Sequence, residues 1–117
     1  MPHAPLTPAT FHVLLALAEA PSHGYAIKRA VEERTEGAVR LGPGTLYAAL
    51  ARLVDEGLVR RVAPGRPAPV KPGPPGPLYE LTAGGRATLR AEIARLETDV
   101  RSARAVLGRK AARGGAR

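Results

Sequence analysis

The N-terminal third of the chain repeats its apolar positions at helical spacing. After Thr7 and Pro8, the residues Phe11, Leu14, Leu15 and Ala18 fall at i, i+3, i+4 and i+7 on one face, while Val13 and Leu17 fall on another. A threonine hydroxyl can cap a free backbone N–H, and proline at the first helical position sacrifices no hydrogen bond, so a first helix is predicted from Pro8 to about Ala20. A helix apolar on two faces needs two partners. Pro21 ends it, and Ser22 reads as the cap of a second helix from His23 to about Thr35, with Ile27 and Val31 inward and Lys28, Arg29, Glu32 and Glu33 outward. Gly37 supplies its stop. A third helix opens at Gly42-Pro43 and continues to Glu56. At about 100° per residue it gathers Leu46, Ala49, Leu50, Leu53 and Val54 on one side and Gly44, Thr45, Ala48, Ala51, Arg52 and Asp55 on the other, with Tyr47 on the flank.

After Gly57 the period falls from that of a helix to that of a strand. Leu58 to Val62 reads as one strand and Leu78 to Leu81 as its return partner. Between them, residues 63–77 hold seven prolines and three glycines, which cannot sustain a ladder and predict an extended loop. Thr82 then caps a last helix in which Leu89, Ile93, Leu96, Val100, Ala103 and Leu107 recur at alternating spacings of four and three, the pattern of a coiled-coil seam. Arg90, Glu97 and Arg104 on one shoulder and Glu92 and Asp99 on the other suit pairing between helices. Gly108 is taken as the end of this helix.

This order predicts a mainly α protein with a small β-wing. A winged helix-turn-helix occupies residues 1–81 with its Pro-rich wing tip at 63–77, a long C-terminal dimerisation helix follows over 82–108, and a disordered basic tail over 109–117. The expected dimer interface comprises Leu89, Ile93, Leu96, Val100, Ala103 and Leu107, joined by Val13 and Leu17 from the second face of the first helix of the partner chain.

Composition narrows the function without supplying it. The 117 residues contain no cysteine, which excludes disulfides, thiolate metal sites and a cysteine nucleophile. The longest apolar run, Val13 to Ala18, is too short to span a bilayer, and Met1 to Thr10 has no lysine or arginine to head a secretory signal, so a soluble cytoplasmic protein is expected. The net charge of +8 suggests nucleic acid, yet six basic residues and no acidic one follow Asp99, leaving twelve basic against ten acidic residues up to and including it. Charge alone is therefore weak support. No nucleophile–base–orienter set and no phosphate-cradling glycine motif is present, so neither catalysis nor a cofactor is expected. His3, His12 and His23 have no metal-ligand spacing. His23 is instead expected to pack or bond to backbone at the entrance of the second helix.

The segments Ser22 to Lys28, Gly42 to Leu50, Leu53, Glu56-Gly57-Leu58 and Tyr79 to Thr82 closely resemble the PadR family of bacterial transcriptional regulators, in order and spacing, across about residues 10–107. That resemblance implies an N-terminal winged helix-turn-helix with a single C-terminal dimerisation helix. It also implies a homodimer that regulates, and commonly represses, operons for stress response, transport or detoxification, relieved by a small molecule or another signal. Three departures stand out: Gly42 where the family commonly has a serine or asparagine cap, Ala83-Gly84 in place of a more helix-favouring pair, and the Pro-rich wing. Some members hold flat drugs between tryptophans at the dimer interface; this chain has no tryptophan, so that sandwich is not carried over.

Double-stranded DNA is thus the expected partner. The outer face of the third helix, with Gly44, Thr45, Tyr47 and Ala48, should enter the major groove, and Arg52 is the candidate for a bidentate contact to guanine, or else for a surface pair with Asp55 or Glu56. Tyr25 and Lys28 are expected on phosphate, and Arg60, Arg61, Arg66 and Lys71 on backbone or minor groove from the wing. Two rival readings remain: a winged helix that binds a protein instead of DNA, and a nonspecific nucleic-acid binder acting through its arginine-rich tail.

Overall fold

The computed structural model describes residues 4–62 and 76–115, the last six of these by backbone alone. Its elements follow the order α1 (Pro8–Glu19), β1 (Ser22–His23), α2 (Gly24–Arg34), α3 (Pro43–Asp55), β2 (Val59–Arg61), β3 (Leu78–Leu81) and α4 (Ala83–Gly115). α1 starts where its cap predicts, with Thr7 Oγ1 accepting from the Thr10 amide at 3.1 Å. α3 ends in a left-handed turn at Gly57 (φ +77°), where the Leu58 amide donates to the Leu53 carbonyl and the Gly57 amide to that of Val54.

Among the described residues the sheet has three strands rather than two. β3 is central, with β2 antiparallel on one side and β1 antiparallel on the other, pairing Ser22 with Tyr79 and His23 with Leu78. Two residues are too few to show a strand period, which is why β1 is silent in the sequence. Ser22 is therefore not the cap of α2. His23 holds that position without a side-chain cap bond, and the Ser22 hydroxyl donates back to the Ala20 carbonyl. The stop of α2 also shifts by one residue: Glu36 takes the first left-handed position at φ 52°, ahead of Gly37.

The core brings Val13, Leu14 and Leu17 of α1 against Ile27 and Val31 of α2, Leu46, Leu50 and Leu53 of α3, and Val59, Tyr79 and Leu89. Side chains such as Leu14, Ile27 and Leu50 are fully covered, each stabilising the fold by about 1.5–3 kcal/mol relative to an exposed position. This arrangement corrects the expected dimer surface at three positions. Val13, Leu17 and Leu89 are interior residues of the protomer, 0%, 3% and 5% exposed. The reason lies in Thr10, a polar residue that is nonetheless buried. Counting it, the inward arc of α1 is Thr10, Val13, Leu14, Ala16 and Leu17, within about 160° of the wheel, and Phe11 falls about 60° outside it.

α4 also runs further than its sequence suggests, passing Gly108 and reaching Gly115. One glycine costs a helix about 1 kcal/mol without breaking it, and Arg109 to Arg113 are good helix formers. The predicted disordered tail is thus helical as far as Gly115. α4 enters the fold through Thr82, whose hydroxyl donates to the Gly57 carbonyl at 2.7 Å and accepts from the Gly85 amide at 2.9 Å, tying the start of the helix to the turn after α3.

Candidate nucleic-acid interface

α3 is amphipathic, and its inward residues leave no choice about what it shows outside. With Leu46, Leu50 and Leu53 buried, Gly44, Thr45, Tyr47, Ala48, Ala51, Arg52 and Asp55 are exposed. Among the described residues, nothing outside its chain neighbours and its own helix backbone lies within 4 Å of a Cβ built on Gly44, so that position stands open. The methyl and hydrogen side chains of Ala48, Ala51 and Gly44 make this a low surface that another molecule can approach closely.

Concavities flank the helix on both sides. Toward the wing, Tyr47, Ala51, Val54 and Asp55 meet Arg61 and Tyr79 around a cavity of about 220 Å³. Toward α1, Thr45, Ala48, Ala49 and Arg52 meet Thr7, Ala9 and Thr10 around an open groove of about 480 Å³. Tyr47 is braced from below by α2: a Cβ on Gly24 would stand 2.5 Å from its hydroxyl and 2.8 Å from Cζ. Gly24 therefore makes room for the ring.

The basic candidates are held differently from one another. Arg52 Nη2 donates to Thr10 Oγ1 at 3.0 Å, so the guanidinium leans toward α1 rather than toward Asp55 or Glu56. Lys28 pairs with Glu32 at 3.2 Å on α2, and beside it Arg29 lies 5.9 Å from the centre of the exposed Tyr25 ring. Arg60 pairs across the ladder with Glu80 at 2.7 Å, which offsets much of its positive field, whereas Arg61 lies over the Tyr79 ring at 5.9 Å. His23 donates from Nδ1 to the Pro77 carbonyl at 3.1 Å, a backbone contact at the base of the wing. Arg66 and Lys71 lie outside the described residues.

Sequence reasoning missed Thr10, 42 residues from the arginine it holds, and misplaced Glu92. Glu92 is 1% exposed, accepting from the Leu6 amide at 3.3 Å and from Arg95 Nε at 3.0 Å. It is an internal clip, not a coil shoulder. Its partner Arg95, placed between Glu92 and Asp99 one helical turn to either side, has its pKa raised, chiefly by the hydrogen bond to Glu92. Further along α4, Ile93, Leu96, Val100 and Leu107 are 37–66% exposed, Ala103 is exposed, and Val106 joins them off the predicted seam. Phe11 of α1 lines the same shallow groove as Ile93, Leu96 and Val100, about 530 Å³ in volume.

Among the described residues, no helix is long and apolar enough to cross a membrane, and no group of three or more acidic or histidine side chains forms a metal site. Solved structures share the fold. A PadR-like regulator of Bacillus cereus superposes with a TM-score of 0.66 at 17% identity, covering 84% of this chain and 89% of that one. A PadR family regulator of Clostridium difficile does so with a TM-score of 0.64 at 19% identity, covering 86% and 99%. In sequence, an uncharacterised 37.1 kDa protein of transposon TN4556 from Streptomyces fradiae is 46% identical over 81 residues, 68% of this chain. The chain spans only about a fifth (20%) of that relative. The family model of PadR-like transcriptional regulators matches residues 13–91, which begin in α1, include α2 and α3 and end in α4. The chain therefore belongs to the PadR-like family, whose members are transcriptional regulators rather than enzymes.

Proposed function

We propose that this chain is a homodimeric, sequence-specific regulator of transcription that binds double-stranded DNA through α3 and acts as a repressor in the cytoplasm. The observation that carries this reading is the outer face of α3, where Gly44, Thr45, Tyr47, Ala48 and Ala51 are exposed together on a rigid helix. A major groove about 12 Å wide admits such a helix, alanine methyls can meet thymine methyls, and Thr45 and Tyr47 offer hydroxyls to base edges or phosphate. Tyr25 and Lys28 at the start of α2, with Arg60 and Arg61 on β2, flank this face and supply backbone contacts.

A second copy of the chain is the occupant we assign to the apolar stripe of α4. Ile93, Leu96, Val100, Ala103 and Leu107 follow a heptad seam, and Phe11 extends the surface. Two copies would present two recognition helices to a pseudo-palindromic site. A mobility-shift titration against the DNA upstream of its own gene tests the proposal. Saturable binding of one site by two chains is expected, abolished by Ala48→Glu, which adds a carboxylate to the exposed face without touching the core, and retained when residues 109–117 are removed. Binding that ignores sequence and disappears with those residues would instead make the chain a nonspecific binder.

A further inference from the structure

Within the DNA-reading role proposed above, the geometry points to Arg52 as a clamp for the DNA backbone rather than a reader of bases, with Thr10 as the residue that positions it. Arg52 lies eight residues beyond Gly44, about 12 Å further along the helix axis at about 1.5 Å per residue. In a helix-turn-helix the N-terminal residues of the recognition helix meet base edges first. A side chain two turns further on stands at the level of the groove walls, which are sugar and phosphate.

The orientation of the guanidinium points the same way. A bidentate guanine contact needs two parallel N–H donors of the fork aimed along the outward normal of the helix. Here Nη2 donates to Thr10 Oγ1 at 3.0 Å, and Thr10 is itself held on several sides: it is 5% exposed, its amide donates to Thr7 Oγ1 at 3.1 Å, and its hydroxyl oxygen accepts from that of Thr7 at 2.9 Å as well. The fork is drawn sideways, across the groove formed by Thr7, Ala9, Thr10, Thr45, Ala48 and Ala49. A phosphate oxygen seated there would meet the guanidinium donors that face away from Thr10, while the base edges lie ahead of the first turn. Because Thr10 lies on the face of α1 that packs in the core and Thr7 caps that helix, the clamp is anchored in the body of the fold and not in α3 alone.

Fluorescence-anisotropy titrations of the full chain test this, using a site selected from a random duplex pool by the wild-type protein, a scrambled duplex, and a series of salt concentrations. Arg52→Ala should weaken binding to both duplexes by a similar factor, lower the slope of log affinity against log salt by about 1, and leave the selected sequence preference unchanged. Thr10→Val should move binding in the same direction, Thr10→Ser should retain wild-type behaviour, and Thr10→Val should add nothing in the Arg52→Ala background. Loss of preference at one base pair with an unchanged salt slope would overturn the clamp in favour of base reading. Additive losses in the double variant would overturn the positioning role of Thr10. Should Thr10→Val fail to melt cooperatively, the Thr10→Ser comparison and the two arms of Arg52→Ala still decide. A wild-type chain that selects no duplex at all would sink the DNA-reading role itself, and this assignment with it.

Discussion

Gly85 and Leu58 approach each other more closely than any side chain at position 85 would permit. A Cβ on Gly85 would overlap the Leu58 carbonyl oxygen, lie 3.0 Å from its carbonyl carbon and 2.6 Å from Leu81 Cδ1. The first turn of α4 thereby lies directly on the backbone that leads into β2, and the Leu58 carbonyl stays available to the Thr82 amide at 3.1 Å. Gly85→Ala should cost about 2–4 kcal/mol in urea denaturation, despite the better helix propensity of alanine, because backbone must move. At the neighbouring Gly84 the nearest atoms stand 3.5 and 3.6 Å from such a Cβ, an ordinary contact. Gly84→Ala should therefore be stabilising by up to about 1 kcal/mol in the same measurement.

Glu92 joins the N-terminal segment to α4 through the Leu6 amide while Arg95 covers its charge. Truncation to alanine removes the acceptor and leaves a part-buried N–H without that partner. Glu92→Ala is expected to lose on the order of 2–4 kcal/mol and to speed hydrogen exchange at the Leu6 amide. An unaltered exchange rate would mean that the clip does not hold this segment.

His12 has its pKa lowered from the usual 6.5, first by burial and then by the positive field of Arg34. Arg34 itself pairs with Glu19 on the same helix as His12. A depressed folded-state pKa means that the unfolded chain takes up the proton first, so the contribution of His12 is complete above about pH 6.5 and is lost as pH falls through the lower folded value. Denaturant midpoints should fall on going below that pH. The His12→Phe variant should show a shallower fall over the same window, and identical slopes would remove His12 as a cause.

Leu96 and Val100 are exposed on α4, whereas Leu89, seven residues before Leu96 on the same helix, is 5% exposed in the protomer core. Leu96→Asp with Val100→Asp should give folded monomers by light scattering with an unchanged circular dichroism spectrum. Leu89→Asp should unfold the chain instead, since a carboxylate there enters the core without a partner. A dimer that survives the double substitution would remove the α4 stripe as its interface.

Gly24 and Tyr47 form a second close pair, between α2 and α3. Gly24→Ala should push the Tyr47 ring off its seat, lowering stability by about 1 kcal/mol and changing its near-ultraviolet circular dichroism. Combined with Tyr47→Ala, the same change should cost no more than Tyr47→Ala alone.

Much of this fold was legible in the chain because its signals are local. Capping at Thr7, the proline at position 43, the left-handed turn at Gly57 and the helical repeat of Leu46, Leu50 and Leu53 each depend on residues within a turn or two of one another, and the elements they predict are present. The exposed face of α3 followed from the same wheel. What the wheel could not provide was a partner distant in sequence. Thr10 counts as polar in a periodicity, yet α1 turns it inward to meet Arg52, and that exchange moves Val13 and Leu17 from the expected interface into the core.

By itself, then, the sequence determined that α1 to α4, β2 and β3 form, in what order, and which side of α3 is apolar, since periodicity and end signals act through nearest turns. Only the tertiary structure decided which of two apolar faces of α1 is interior, that Ser22 and His23 add a strand to the sheet, that Glu92 is buried, and that the Arg52 guanidinium turns toward α1. Each of these depends on how far apart two packed elements stand, a distance set by all the side chains between them and encoded at no single position.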